Sequence, residues 1–294
     1  MKIQKGRVEK YLQVPGTGLI EGPAWVPDEG QLYFVEIEAG LISRVTPDGK
    51  YEKFFDIGAP DDLMGPNGMV YDEKNRRLLI AHRDKGIVSL DPKTREEKII
   101  VGDYRGKKFN GPNDLIIDWA DNIYFSDPWG TSVSNRKGAV YRVDGKTGEI
   151  TPFMENLAFP NGVLISPDGQ FFYVVEFGTN RLLRAMLIEN GKSHVFQSVF
   201  TYFTGGFGVD SMGMDVDGNM YIANFGSGKV FVVEPVRGDI IEVIEFPGLG
   251  TDNARFGGPE NKTLFVTDGI EKVIWKVEVA IPGMPIPQPA PSAR

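Results

Sequence analysis

The sequence predicts an all-β fold, a β-propeller of six blades with four antiparallel strands each, and three observations carry that prediction. Glycine supplies 36 of the 294 residues and proline another 20; typical glycine usage is ~7%, so this chain turns often and favours many short strands over long helices. A polar residue beside glycine or proline, followed by a short apolar strand, recurs six times, at Glu21, Asn67, Asn113, Asn161, Asp210 and Asn253. The steps between these positions are 46, 46, 48, 49 and 43 residues. Each repeat then holds further β-rich runs separated by turn formers, and a unit of this length with four strands is a propeller blade.

Taken in order, each blade opens on its polar residue and an inner strand, as in Glu21-Gly22-Pro23-Ala24-Trp25 and Asn67-Gly68-Met69-Val70-Tyr71. Turns follow at Pro27-Asp28-Glu29-Gly30, Asp72-Glu73-Lys74-Asn75, Pro167-Asp168-Gly169 and Asp217-Gly218-Asn219. Glycine and asparagine there accept positive φ, and proline presets the first turn torsion. Second strands are β-branched and aromatic, such as Leu32-Tyr33-Phe34-Val35 and Leu264-Phe265-Val266-Thr267. Third strands include Gly86-Ile87-Val88-Ser89-Leu90, and fourth strands Tyr51-Glu52-Lys53-Phe54-Phe55. The last blade lacks a fourth strand after Val273-Ile274-Trp275-Lys276-Val277, while Arg7-Val8-Glu9-Lys10-Tyr11-Leu12 is spare ahead of the first. The N-terminal strand is therefore expected to close the last blade, which removes two exposed edges. No helical periodicity is sustained over 11 residues. Residues 1–281 read as a single propeller domain. Residues 282–294 hold five of the prolines and read as an extended tail lying on the surface, with a polyproline ligand as the alternative.

Composition narrows function. With no cysteine there is no disulfide framework, thiolate metal site or cysteine nucleophile. Forty acidic against 32 basic residues give a net charge of −8, which argues against nucleic-acid binding. Neither a signal-peptide core nor an apolar run long enough to span a membrane occurs, so a cytoplasmic protein without membrane contact is expected, a monomer or weak homo-oligomer.

The six opening residues are all carboxylates or amides, and inner strands line a propeller's channel. The second strand returns to the same mouth and ends on Glu36, His82, Asp127, Glu176, Asn224 and Asp268, 14 or 15 residues later in every blade. Up to twelve polar side chains are thus expected at one opening. Several buried carboxylates repel one another and need partners. A hard divalent cation would satisfy them, because Ca²⁺ takes six to eight oxygen ligands. The donor set, oxygen with one imidazole, disfavours zinc and copper and leaves Ca²⁺, Mg²⁺ or Mn²⁺. The alternative is that these residues only cap blade turns.

At these residues the sequence resembles the SMP-30/gluconolactonase/luciferin-regenerating-enzyme family, which includes calcium-dependent organophosphate fluorohydrolases. The resemblance covers roughly residues 15 to 280. It is carried by Glu21-Gly22-Pro23-Ala24-Trp25, Leu32-Tyr33-Phe34-Val35-Glu36-Ile37, Pro112-Asn113-Asp114, Tyr124-Phe125-Ser126-Asp127-Pro128, Pro160-Asn161-Gly162-Val163 and Phe256-Gly257-Gly258-Pro259. It implies one catalytic divalent cation in the channel, Ca²⁺ first, with Mg²⁺, Mn²⁺ or Zn²⁺ as substitutes in vitro. Glu21, Asn161 and Asp210 are the implied ligands, with Asn113 beside them as ligand or substrate contact. Gly111 stands where sugar-lactonase members often carry an arginine, and Glu36 where aspartate is common.

The expected chemistry is metal-dependent opening of a small-molecule lactone, with Asp210 as general base for the attacking water. Asn67, Glu36, His82, Asp127, Trp129 and Phe207 are expected beside the substrate, and His194 in a solvated connection. Phe203 is a further candidate for the pocket lid. Aromatic residues at the pocket would point to a partly apolar lactone. A phosphotriesterase on the same site and a non-catalytic calcium-stabilised binding propeller are the competing readings.

Overall fold

The computed structural model describes residues 2–16, 18–60 and 65–288. Six four-stranded antiparallel sheets follow one another along the chain and form a ring. Blade one runs through Ile20–Val26, Gln31–Glu36, Leu41–Val45 and Tyr51–Asp56. The inner strands of blades two to six are Pro66–Asp72, Leu115–Ile117, Pro160–Ile165, Gly208–Met214 and Thr251–Gly257. In blade six the fourth strand is Glu9–Gln13, paired antiparallel with Val273–Glu278. The N-terminal strand thus closes the ring as expected. A two-strand hairpin, Asp103–Tyr104 with Lys107–Lys108, is inserted after blade two. Only two 3₁₀ turns, Phe177–Thr179 and Glu189–Gly191, interrupt the strands among the described residues. No helix among them is long and apolar enough to cross a membrane.

The core lies between blades rather than at the centre. Inner and second strands are buried on both faces, as in Leu32–Val35 and Leu78–Ala81. Neighbouring blades interlock through aromatic rings. Tyr124 of blade three meets Phe172 of blade four at 5.3 Å between ring centroids, a contact worth about 0.5–1.5 kcal/mol beyond the area it buries. Phe203, expected near the pocket, belongs to this core and packs on Phe231 at 5.2 Å.

Two details of the inner strands shape the channel. Pairing with the second strand slips by one residue just after the opening polar residue in blade one, across it in blades two, four and five, and just before it in blade six. Such a bulge re-aims a side chain out of the regular pleat. Glycine then lets the inner strands crowd together: a Cβ on Gly68 would stand 2.5 Å from the Asn113 carbonyl, and one on Gly22, where φ is +54°, 2.5 Å from that of Asn67. No side chain fits there.

The tail does not lie on the outer surface. It crosses the far end of the channel, where the inner strands finish. Met284 N–H bonds the Met214 carbonyl at 2.8 Å, Gln288 N–H the Ile117 carbonyl at 2.9 Å, and Trp119 N–H the Gln288 carbonyl at 2.9 Å. Gln288 is buried, and its side-chain oxygen accepts from Ile165 N–H at 2.7 Å. Behind it an apolar cavity of about 360 Å³ is lined by Met69, Met214, Phe256, Met284 and Ile286. Pro282, Pro285 and Pro287 deny the described part of the tail a ladder, and irregular backbone bonds to the ends of the inner strands take its place. The rest of the tail, 289–294, lies outside the described residues.

Candidate metal centre and substrate mouth

Glu21, Asn67, Asn113, Asn161, Asp210 and Asn253 open the six inner strands and are all buried. Asn161 Nδ2 donates to Asp210 Oδ1, and Asn253 Nδ2 donates to Glu21 Oε2. Each amide is thereby oriented by a carboxylate of the next blade round the ring. The other end of each amide is left over. Asn161 Oδ1, Asn253 Oδ1 and both polar atoms of Asn67 are buried without a hydrogen-bond partner among the described residues.

The two carboxylates are held in costly surroundings. Burial pushes the Glu21 carboxyl up to about 7, with hydrogen bonding from Asn253 and the charge of Arg83 pulling the other way. Burial, then the charges of Glu21 and Asp114, raise Asp210 well above the ordinary carboxylate range. A proton or a cation has to compensate charges placed this way. No three His, Cys, Asp or Glu side chains converge as a metal group among the described residues. The set here is different: two carboxylates and orphaned amide oxygens. Those donors fit a hard, oxygen-preferring divalent cation. An unmatched buried amide oxygen otherwise costs about 1–3 kcal/mol.

One layer below the ring, an ion pair crosses the channel. Asp114 of blade three takes Arg255 Nη2 of blade six on both oxygens, at 2.7 and 2.8 Å, and Ser211 Oγ of blade five at 2.7 Å. Arg255 Nη1 also reaches the Met212 carbonyl. Three inner strands are tied together beneath the site, and Arg255 is the polar lid of the apolar cavity beyond. Asp114 was visible as part of a motif; Arg255 carried no signal, because a long side chain crossing the channel leaves none in its own blade.

The second-strand residues do not join the ring. Glu36 accepts Ser43 Oγ at 2.5 Å and Tyr51 Oη at 2.7 Å, both on outer strands of its own blade. His82 bonds the Gly58 carbonyl through Nε2 at 2.8 Å, and its Nδ1 accepts Asp84 and Lys85 N–H, both at 3.2 Å. Asp127 accepts Asn110 and Gly111 N–H at 3.0 and 2.7 Å. Glu176 takes Arg136, Arg181, Thr179 and Ala158 N–H. Asn224 donates to Asn180 Oδ1, and Asp268 accepts Glu271 N–H. In place of one crowd of twelve there are an inner ring facing the channel and an outer ring of clamps. Of the residues expected beside the substrate, Glu36 Oε1, both His82 nitrogens and both Asp127 oxygens are engaged by backbone groups or outer strands.

Aromatic rings stand around the mouth. Trp129 lies 6.4 Å from Phe159, which lies 5.5 Å from Phe177, centroid to centroid. Phe207 is 73% exposed and packs on Phe225 at 6.0 Å. Arg83, which the sequence did not single out, stacks on Trp129 at 4.2 Å. His194 is half-buried on an outer strand, bonded through Nε2 to the Phe153 carbonyl at 2.9 Å, rather than solvated in a connection.

A Staphylococcus haemolyticus protein named lactonase drp35 is 35% identical over 284 residues, 92% of this chain and 85% of that one. A Zymomonas mobilis gluconolactonase is 27% identical over 272 residues, 84% and 75% of the two chains. The solved structure of a calcium-binding protein, regucalcin, from Agrobacterium tumefaciens superposes with a TM-score of 0.78 at 21% identity, covering 99% of this chain and 98% of that one. The sequence profile of the SMP-30/gluconolactonase/LRE-like region matches residues 19–269, and the chain belongs to that family.

Proposed function

We propose that the chain is a lactone hydrolase whose inner ring holds one divalent cation, Ca²⁺ first. The observation that carries this is the orphaned oxygens of Asn67, Asn161 and Asn253 beside two carboxylates of raised pKa. Lactonase relatives at 27–35% identity over most of the chain support the reaction class. Glu21, Asn161 and Asp210 would hold the cation, with Asn113 beside them. When bound, it supplies the positive charge that polarises a lactone carbonyl.

The chain's own residues do the rest. Asp210 takes the proton of the attacking water on a carboxylate oxygen. Asn161 Nδ2–H fixes that carboxylate through Oδ1. Asn67 and Asn113 present amides to the substrate. Below them the Asp114–Arg255 pair closes the site, and the tail closes the channel behind it. Substrate and water therefore enter from the mouth, past Trp129 and Phe207.

A panel of lactones, read by acid release with and without EDTA, tests the proposal. Turnover should vanish on chelation and return with one particular divalent cation. Turnover that survives chelation rules out the metal. A protein that opens no lactone, and loses only melting temperature with EDTA, is a calcium-stabilised binding propeller instead.

A further inference from the structure

The cavity at the far end of the channel takes no part in the chemistry at the mouth. Its volume is about 360 Å³, and Arg255, paired with Asp114, stands between it and the inner ring. Trp25, Met69, Met214 and Phe256 form its inner walls, and Met284 and Ile286 of the tail cover it. Three blades fasten the tail there. Met284 N–H bonds the Met214 carbonyl at 2.8 Å, Glu73 N–H the Ile286 carbonyl at 3.3 Å, and Gln288 N–H the Ile117 carbonyl at 2.9 Å. The tail thus roofs the space, which is a chamber with side walls and a cover rather than an open groove.

The walls say what would fill it. An apolar cavity of ~150 Å³ takes one benzene ring, so this one has room for two fused rings. Water is a poor filling, because an ordered water wants two to four polar partners, and methionines and aromatic rings offer none. The three methionines are unbranched and adapt to the outline of a guest. One polar group remains unspent. Arg255 is 5% exposed. Its Nη2 holds both oxygens of Asp114 at 2.7 and 2.8 Å, and its Nη1 holds the Met212 carbonyl. Its Nε is buried without a partner, the only side-chain polar atom of the wall in that state among the described residues. A buried donor left unmet is costly, and an acceptor brought by a guest relieves it. The guest has no use for a negative charge. Asp114 already balances the guanidinium, and Glu73 stands in the wall and would repel an anion.

We propose that this chamber is a second small-molecule site, for a compact, uncharged, two-ring molecule whose acceptor oxygen meets the Arg255 Nε–H. The site stands apart from the reaction at the mouth and does not depend on it.

The test uses three probes of one shape: α-tetralone, which carries a carbonyl; tetralin, which lacks it; and tetralin carboxylate, which carries a charge. Calorimetric titration of the full chain should show one equivalent of α-tetralone bound. It should bind about tenfold or more tightly than tetralin, the worth of one hydrogen bond to a charged group, and the carboxylate should bind most weakly. Met284→Trp and Ile286→Trp each fill the chamber from the tail, where no strand ladder is disturbed, and each should abolish binding. Circular dichroism melting shows which of them is folded, and one folded variant suffices. Arg255→Lys keeps a charge for Asp114 but removes the Nε–H, and should bring α-tetralone down to the affinity of tetralin. No binding by the wild type, or binding of α-tetralone that survives in a folded filled variant, overturns the site. Equal binding of α-tetralone and tetralin overturns the contact with Arg255, and tightest binding of the carboxylate overturns the choice of an uncharged guest.

Discussion

Two rings of six polar residues, one residue type away from being interchangeable, differ in how far their polar atoms are satisfied. The inner ring leaves amide oxygens unmatched and holds two buried carboxylates whose charges oppose each other. Most polar atoms of the outer ring meet protein partners, and among its fully buried ones one oxygen each of Asn224 and Asp268 has none among the described residues. Glu176 shows the contrast with Asp210 best. Burial alone would raise its carboxyl, yet bonds from Ala158, Arg181 and Thr179 hold it below the ordinary range. The lesson is that a polar side chain's satisfaction, more than its identity, separates a site from a scaffold. Changes in the inner ring should cost function and spare stability, and changes in the outer ring should do the reverse.

The largest expected effect is at Asp210. Asp210→Asn should lower lactone turnover by about 1,000-fold or more, in the range of a lost general base together with a lost ligand. Its melting temperature should not fall, because a buried repulsion goes with the charge. A matching fall in melting temperature would merge the two rings. Glu176→Ala is the converse. It strands Arg181 and Arg136 beside a buried gap, and should cost about 3–5 kcal/mol in denaturant unfolding, while folded protein keeps its kcat.

Asn67→Leu sharpens the comparison at smaller scale. It removes two orphaned polar atoms, so the metal-free protein should be as stable or more stable by urea titration, while kcat/KM falls about tenfold, the loss of one substrate-facing hydrogen bond. The smallest effect is one of pH. His82 is neutral by design of its surroundings: burial depresses its pKa, and its Nδ1 already accepts two N–H groups. The folded state binds its proton less readily than the unfolded chain. This contribution to stability is therefore complete above the unfolded value of ~6.5 and is lost as pH falls below it. His194, also depressed by burial, acts in the same direction. Melting temperatures between pH 7 and 5 should drop less steeply in His82→Asn than in the wild type.

Much of the fold could be read from residues alone because its signals are local and repeated. Six polar starts, their glycines, and turns such as Pro167-Asp168-Gly169 each declare themselves within a few residues. Closure by the N-terminal strand followed from counting strands. The inner ring was legible for the same reason. For the outer ring the chain only shows that Glu36 and His82 end a strand near the mouth. What decides their role is pairing: the second strands stay in register with the third to their last residue, as Glu36 with Leu41 and His82 with Gly86 do, whereas the inner strands slip near Glu21, Asn67 and Asn161 and re-aim them. Arg83 and Arg255 escaped notice because each acts on residues of other blades. The tail's burial turns on Gln288, whose partners Ile117 and Ile165 lie more than 120 residues away.

The central claim is that the inner ring, and not the outer, is a divalent-cation site. Calorimetric titration of chelated protein with Ca²⁺ tests it most directly, on the wild type, Asp210→Asn and Glu176→Gln in parallel. The wild type and Glu176→Gln should bind one equivalent with similar affinity, and Asp210→Asn should bind at least about tenfold more weakly. Equal binding by the wild type and Asp210→Asn, or loss of binding in Glu176→Gln alone, would contradict the assignment.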